Sequence, residues 1–348
     1  MVYFVFSLFL SPTVGFSIEY VKDERVDTIA IDEVISLVNE KYVKSIPLDK
    51  LMDSALLGLM HSVDDYSDYF SPSDYKDFQS AINGTIYGIG IEFCKRDGNF
   101  IVVFVFPNSP AERAGILPND VIISVNNLSC ERMSLAGVMG SIRGAEGTNV
   151  KMEIGRRLSN RNTETIKFAL KRSKLTIKVI KTQLIDKNIL LLKISAFSRG
   201  AYKALLSELK ILHRKGKINS LHGIILDLRD NPGGLLDQAV DIAGFFLPNK
   251  APIVTVHTKD SVSITNFLAN SANSAISAIN NKPIVVLVNQ NTSSAAEILA
   301  AALQENNKAV VVGSRTYGKG SVQDTLELLS VPGAAIKLTF ATYKTPLK

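Results

Sequence analysis

From about Ile177 onward the chain alternates short apolar strands with amphipathic helices, and this alternation constrains the fold more than any other feature. "NILLLKISAF" reads as a strand and "GAYKALLSELKILHRKG" as a helix stopped by Gly216. "LHGIILDLRD" is a strand, "NPGG" a turn and "LLDQAVDIAGFFL" a helix. "APIVTVHTK" and "KPIVVLVNQ" read as strands and "SAAEILAAALQEN" as an Ala-rich helix. "KAVVVGSR" and "GAAIKLTFATYK" complete the series as strands. Such alternation implies a layered α/β domain with a largely parallel sheet. In such sheets the loops at the C-terminal ends of the strands carry the chemistry.

The texture upstream is different. Between Thr28 and Leu59 apolar residues recur at helical spacing, with Ile31, Val34, Ile35 and Val38 on one stripe. Leu48, Leu51, Met52, Ala55 and Leu59 form a second stripe after Pro47. "DDYSDYFSPSDYKDF" reads as a turn into a short helix, capped by Ser71 or Ser73 beside Pro72. From Gly84 to about residue 172 the composition is that of strands broken by Gly, Asn and Pro turns, a compact β-rich module. The first residues, Val2 to Phe16, are mostly apolar. They are too few for an ordinary membrane span of about 20 residues. They resemble the core of a secretory signal without its basic start, or else a buried first strand. The expected organisation is a signal or anchor at 1–18, a helical segment at 19–83, a β-rich module at 84–172 and an α/β domain at 173–348.

Composition excludes several function classes. Basic and acidic residues, 39 and 33, are spread without a long single-sign run, so the net charge of +6 argues only weakly for nucleic acid or anionic lipid. Cys94 and Cys130 fit neither a disulfide scaffold nor a zinc site, and His61, His213, His222 and His257 are scattered. This pattern argues against a metal enzyme, and no histidine lies in a motif that recommends it as a catalytic base.

Three loops of the α/β domain have unusual content. In "LDLRDNPGGLL", Pro232 fixes a turn, and Gly233 and Gly234 precede a helix, where open N–H groups can meet a developing negative charge. Taken alone, it reads as an ordinary strand-to-helix turn. In "VLVNQNTSSAAEILAAAL" a strand leads to Ser293 and Ser294 at a helix start. A serine there is an N-cap or a nucleophile, and small residues on both sides give a nucleophile clearance. The third loop, "VVGSRTYGKGSVQ", imitates a phosphate loop, with Gly313, Gly318 and Lys319 in register. Gly320 stands where Ser or Thr should hold a metal ion, and the following residues read as a strand instead of a helix, so nucleotide binding is not expected. A lysine can serve a serine as base when burial depresses its pKa, and Ser–Lys pairs are a known variant of the serine nucleophile.

Here the sequence resembles the carboxyl-terminal processing (tail-specific) proteases. Their hallmark is S-A-S-A-S-E followed by a lysine in F/Y-G-K-G-x-V-Q, 25 residues after the nucleophile. This chain has "TSSAAE" at Thr292–Glu297 and "YGKGSVQ" at Tyr317–Gln323. The 25-residue spacing to Lys319 selects Ser294 over Ser293. "LDLRDNPGG" resembles the family's L-R-x-N-x-G-G turn, and "VDDYSDYFSPSDYKDF" a further family stretch. Thr292, Ser293 and Ala296 depart from the usual Ser, Ala and Ser. The chain stops at "ATYKTPLK", where relatives continue from "YYTPSG", so the core is expected to be C-terminally short.

The resemblance implies a crotonase-like α/β protease core with an inserted PDZ domain at 84–172. It implies Ser294 as nucleophile, Lys319 as general base and Gln323 as the residue that orients the lysine. Amides of Ala295 and of Gly233 or Gly234 would form the oxyanion hole. Tyr87, Gly88, Ile89, Gly90 and Ile91 would hold a substrate C-terminus, with Phe93 beside the added strand and Arg143 coupling tail binding to catalysis. No cofactor or metal is implied. The partners implied are proteins or peptides with free C-termini, a homo-oligomer through the N-terminal helices, and an adaptor; no nucleic acid is expected. The location implied is the periplasm or the periplasmic face of the inner membrane. The alternative is an inactive relative that binds C-terminal peptides through its PDZ module.

Overall fold

A computed structural model describes residues 29–347, other than 97, 132, 134, 158–161, 260–263 and 270–276. The expected signal or anchor at 1–18 lies outside the described residues, and no described helix is long and apolar enough to cross a membrane. Two compact units divide the chain. One is Ser80–Lys178; the other joins the described residues up to Gln79 with Val179–Lys348.

The chain begins with α1 (Ile29–Lys41) and α2 (Leu48–His61), then β1 (Asp68–Phe70) and α3 (Pro72–Ile82). The apolar stripes lie mostly on the open side: Ile31, Val34, Leu48, Met52 and Leu59 are exposed. The inward face of α2 is instead Leu56 and Met60, packed with Tyr69 and Ala334. Ser71 caps α3, its hydroxyl accepting from the Asp74 amide at 3.3 Å.

The unit Ser80–Lys178 is β-rich, as its sequence predicts. Its strands are β2 (Thr85–Gly88), β3 (Ile91–Arg96), β4 (Asn99–Val105), β5 (Val121–Val125), β6 (Leu128–Ser129), β7 (Asn149–Arg157), β8 (Thr163–Lys171) and β9 (Ser173–Thr176). Two short helices, α4 (Pro110–Ala114) and α5 (Leu135–Ile142), accompany them. The main sheet runs β3-β4-β5-β7-β8, with β6 on β5, and β2 pairs with β9. β3 is therefore an edge strand. Asn126 and Asn127, at φ 51° and 64°, make the tight β5–β6 turn. Ile89, Phe100, Val102, Ile122, Met152 and Ile154 are core residues.

The second unit continues with β10 (Ile180–Ile185), β11 (Ile189–Ile194), α6 (Ala201–Arg214), β12 (Gly223–Asp227), α7 (Leu236–Phe246), β13 (Pro252–Thr258) and β14 (Ile264–Leu268). β15 (Ile284–Val288), α8 (Ala295–Glu305), β16 (Ala309–Gly313), β17 (Ser321–Glu327) and β18 (Ala335–Lys344) follow. Strands β11, β12, β15 and β16 are parallel neighbours, as the alternation predicts, and β10 is an antiparallel edge. "APIVTVHTK" and "GAAIKLTFATYK" behave differently. They are β13 and β18, which with β1, β14 and β17 build a separate antiparallel sheet. Apolar periodicity marks a strand as buried but does not say which sheet takes it. Helices α7 and α8 pack on each other and on β13, and α8 also packs on β16.

Candidate active site

The three loops singled out in sequence leave the C-terminal ends of adjacent parallel strands. Asp227 of β12 is opposite Leu287 of β15, and Val288 of β15 is opposite Gly313 of β16. Sheet register alone therefore brings them together.

Hydrogen bonds fasten the first loop to the second. The Thr292 hydroxyl donates to Leu228 O at 2.9 Å, and the Ser293 amide to Asn231 O at 3.0 Å. Asn289 and Asn291 both donate to Asp230 Oδ1 at 2.8 Å. Asn231, fully buried, holds the glycine turn from beneath: its Nδ2 donates to Ile194 O at 2.8 Å and its Oδ1 accepts from the Gly233 amide at 2.9 Å. Gly233 lies against the serine turn. A Cβ there would come within 2.8 Å of Ser294 Cβ and 3.0 Å of the Ala295 amide nitrogen. The Gly233 amide is committed to Asn231, which leaves Gly234 as the one of the two expected glycines whose amide is not spent there.

Ser294 is fully buried, with φ 59° and ψ −122°. That backbone region suits glycine, and a serine held there costs on the order of 1–3 kcal/mol. The strain turns its side chain out of the path a relaxed N-cap would take, and the hydroxyl has no hydrogen-bond partner. Ser294 thus stands at the N-cap position of α8, with its amide held by Glu297, while its hydroxyl is not spent on capping the helix.

Glu297, three residues into the same turn, has a role the sequence analysis left unassigned. Its carboxylate accepts three backbone N–H groups: Ser294 at 2.7 Å, Gly318 at 2.7 Å and Lys319 at 3.0 Å. One carboxylate thus ties the serine turn to the lysine loop. Gly318, at φ 87°, lets two successive amides point at it. Gly313 has a structural explanation as well: a Cβ would lie 1.9 Å from Val288 O. Strand β17, not a helix, follows the lysine.

Gly318 and Gly320 are exposed while Lys319 between them is 1% exposed. Its backbone oxygen accepts from Tyr343 Oη at 2.5 Å, and its Nζ sits 4.6 Å from the Tyr66 ring centroid with no hydrogen-bond partner. Burial foremost, then the charge of Lys337, pushes its pKa down to about 7, against the opposing pull of Asp64 and Glu297. Gln323 is fully buried opposite Thr339, placed by a bulge between Val322 and Gln323. Its Nε2 donates to Ser321 Oγ at 2.8 Å and Thr339 Oγ1 at 2.9 Å, leaving Oε1 unpartnered. The Ser294 and Lys319 backbones thus meet at one carboxylate oxygen of Glu297, and the Ser294 hydroxyl, the Lys319 amine and Gln323 Oε1 are each buried without a hydrogen-bond partner. Ser293 Oγ is also buried and unpartnered, but it is Ser294 that holds the strained backbone. Among the described residues no cluster of His, Cys, Asp or Glu could hold a metal ion.

The residues expected to hold a peptide tail lie in the other unit. Tyr87, Gly88, Ile89, Gly90, Ile91 and Arg143 all line one cavity of about 350 Å³, with an apolar wall that includes Phe106, Met139 and Ile142. Gly90 is required there: at φ 84° a Cβ would meet Ser109 Cβ at 2.3 Å. β3 borders the cavity, and among the described residues its outer edge pairs with no other strand. Cys94 and Cys130 are both free thiols.

Comparison with known proteins agrees with this division. A model of Peptidase family S41 matches residues 188–348, and a PDZ domain model matches residues 101–156. The carboxy-terminal processing protease CtpA of Bacillus subtilis (strain 168) is 35% identical over 328 residues, which is 93% of this chain and 66% of that protein. A CtpA-like serine protease of Staphylococcus haemolyticus is 33% identical over 329 residues, 93% of this chain and 62% of the relative. The chain therefore spans slightly less than two thirds of the curated relatives it matches. Among solved structures, the photosystem II D1 C-terminal processing protease superposes with a TM-score of 0.53 at 25% identity, covering 93% of this chain and 90% of that one.

Proposed function

The chain belongs to peptidase family S41, and from that premise we propose that it is a serine endopeptidase that cuts protein substrates at or near their C-termini. The observation that carries this reading is Lys319: a lysine 1% exposed, with an unpartnered amine and a pKa pushed down to about 7, its backbone tied through Glu297 to that of a strained buried serine. A neutral amine is a competent general base near neutral pH.

Ser294 Oγ attacks the scissile carbonyl while Lys319 Nζ takes its proton. The amides of Gly234 and Ala295 stabilise the oxyanion. Collapse of the tetrahedral species breaks the C–N bond, and Lys319 returns the proton to the leaving amine. Water then attacks the acyl-serine with Lys319 again as base, releasing the acid and Ser294. Gln323, its Nε2 anchored on Ser321 and Thr339, offers Oε1 to a Lys319 N–H and so aims the amine. Substrate must draw serine and lysine into hydrogen-bond contact, because catalytic hydrogen bonds often close only in the Michaelis complex.

The PDZ unit selects the substrate by its tail. An extended peptide adds to the open edge of β3 beside Ile91 and Phe93, its carboxylate meets amides near Gly88 to Gly90, and its last side chain enters the apolar cavity. Export to the periplasm is part of the proposal and rests on the apolar residues 2–16; self-association through the N-terminal helices and an adaptor belong to it as well. The reading as an inactive peptide-binding relative finds no support in the comparisons.

Incubation with a protein bearing an apolar C-terminal tail, followed by intact-mass analysis, tests the proposal. Cleavage near the tail is expected, and Ser294→Ala is expected to abolish it. Undiminished turnover by Ser294→Ala would overturn the assignment.

A further inference from the structure

The catalytic unit buries a second lysine. Lys337 of β18 is 8% exposed, and it shares a strand face with Thr339, two residues on, which holds Gln323. The segment Asp64–Phe70 runs past both lysines. Tyr66 lies under Lys319, with the ring centroid 4.6 Å from Nζ. Two residues later, Asp68 pairs with Lys337 at 3.7 Å, and the Phe70 ring centroid is 5.5 Å from the Lys337 amine. His61 reaches the other oxygen of Asp68 at 3.5 Å. Asp64 accepts from the amides of Tyr66 at 2.8 Å and Ser67 at 2.6 Å, and acts on both lysines.

The two amines are settled unequally. Lys337 has a carboxylate within ion-pair distance. Lys319 has none, because Glu297 spends its oxygens on three backbone N–H groups. Two buried ammonium ions in one wall repel each other, and the one without a carboxylate yields first.

We propose that Lys337 is a positioning residue for the catalytic base: Asp68 secures its charge, and that charge keeps Lys319 in the amine form that can accept the serine proton. The proposal rests on the reading of Lys319 as base. The geometry supports it: both lysines are buried, both lie against the segment Asp64–Phe70, and Lys337 alone has a carboxylate, Asp68 at 3.7 Å. The Lys337 charge acts in the same direction as burial on Lys319. Burial lowers the pKa of Lys337 as well, with Asp68 and Asp64 opposing. The other titratable groups facing Lys319 are Tyr66, Glu297 and Tyr343 (which donates to its backbone oxygen), and none of them supplies a positive charge.

The test is a lysine titration by NMR on the full chain labelled with 13C-lysine, with the Lys319 13Cε signal assigned by its loss in Lys319→Met. In the unaltered protein the midpoint is expected near 7. In Lys337→Met it is expected to rise by roughly one pH unit, a tenfold change in the ratio of amine to ammonium. Lys337→Arg, which keeps the charge, should stay close to the parent. Should Lys337→Met not fold, Asp68→Asn serves. It releases the Lys337 proton and should also move the Lys319 midpoint upward, whereas direct loss of a nearby negative charge would move it downward. The rising limb of kcat/KM should shift with the NMR midpoint while its alkaline plateau is retained, which a merely structural role would not produce. An unmoved Lys319 midpoint in Lys337→Met, or an equal shift in Lys337→Arg, overturns the proposal whether or not the protein cleaves. A shifted midpoint in a protein that cleaves nothing overturns the functional reading instead.

Discussion

Arg172 and Lys319 are buried basic side chains, one in each unit, and the two are settled in opposite ways. Arg172, in the PDZ unit, is 8% exposed and spends its guanidinium on backbone carbonyls: Ile142, Ser141 and Asn149, each at 2.8 Å, with Thr148 Oγ1 at 3.1 Å. It closes the C-terminal end of α5, and because it cannot lose its proton in practice, its role is fixed. Lys319 is buried more deeply, and nothing accepts from its amine. Both are disfavoured by burial in the charged form. Only the amine can respond by giving up its proton. The PDZ unit satisfies its buried guanidinium, whereas the peptidase unit leaves its buried amine without an acceptor, the kind of unresolved polarity that active sites concentrate.

The largest expected effect follows from that contrast. Lys319→Ala and Lys319→Arg should each lower kcat/KM by at least about 10³-fold, because the guanidinium of the second keeps charge and size yet cannot act as a base. Residual cleavage by Lys319→Arg near the parent rate would break the comparison at its centre.

Stability should move in opposite directions in the two units. Arg172→Met strands the buried Ile142 carbonyl and the half-buried acceptors at Ser141 and Asn149, and is expected to cost roughly 1–3 kcal/mol, read by thermal or denaturant unfolding of the PDZ unit. Lys319→Met should stabilise. The folded pKa, near 7, lies below the ordinary lysine value of 10.5, so the unfolded chain binds more protons between those limits. The penalty is fully present below pH 7 and fades as pH rises toward 10.5. The gain from Lys319→Met, on the order of 2–4 kcal/mol near neutral pH, should therefore shrink in alkali. A constant gain across pH would mean that the buried lysine carries no such penalty.

A smaller effect sharpens the role of Glu297. Glu297→Gln keeps the shape but cannot accept three N–H groups as a carboxylate does, and should lower kcat about 10- to 100-fold. Its negative charge also favours the lysine proton, so the rising limb of the rate profile should move to lower pH even as the maximum falls. The smallest effect is expected in the tail cavity, where Arg143→Gln should raise KM for a tailed substrate by about 3- to 10-fold. A change in kcat alone would place Arg143 outside tail recognition.

Much of this was legible in the sequence, and the remainder was hidden for physical reasons. The parallel strands and the three loops could be placed because strand, turn and helix signals are local, and sheet register then does the assembly. The choice of Ser294 over Ser293 came from the spacing to Lys319. Which sheet receives β13 and β18 was not legible, since burial patterns are alike in both. The apolar stripes of α1 and α2 were misleading, because a stripe shows what can be buried and not what is: Ile31, Val34, Leu48, Met52 and Leu59 are exposed. Tyr66, Asp64 and Lys337 were unreadable as site residues. Tyr66 and Asp64 come to Lys319 through β1 pairing with β18, across more than 250 residues of chain, and Lys337 through the pairing of β17 with β18. Glu297 had a signal in its place three residues after Ser294, the spacing of a capping box, but its link to the lysine loop needs the fold.

The central claim is that Lys319 works as a neutral base at physiological pH. Its most direct test is the pH dependence of kcat/KM for cleavage of a protein with an apolar C-terminal tail. A single rising limb with a midpoint near 7 and a plateau above it is the predicted result. A rate still climbing toward pH 10, as an ordinary lysine requires, or a rate independent of pH, would contradict it.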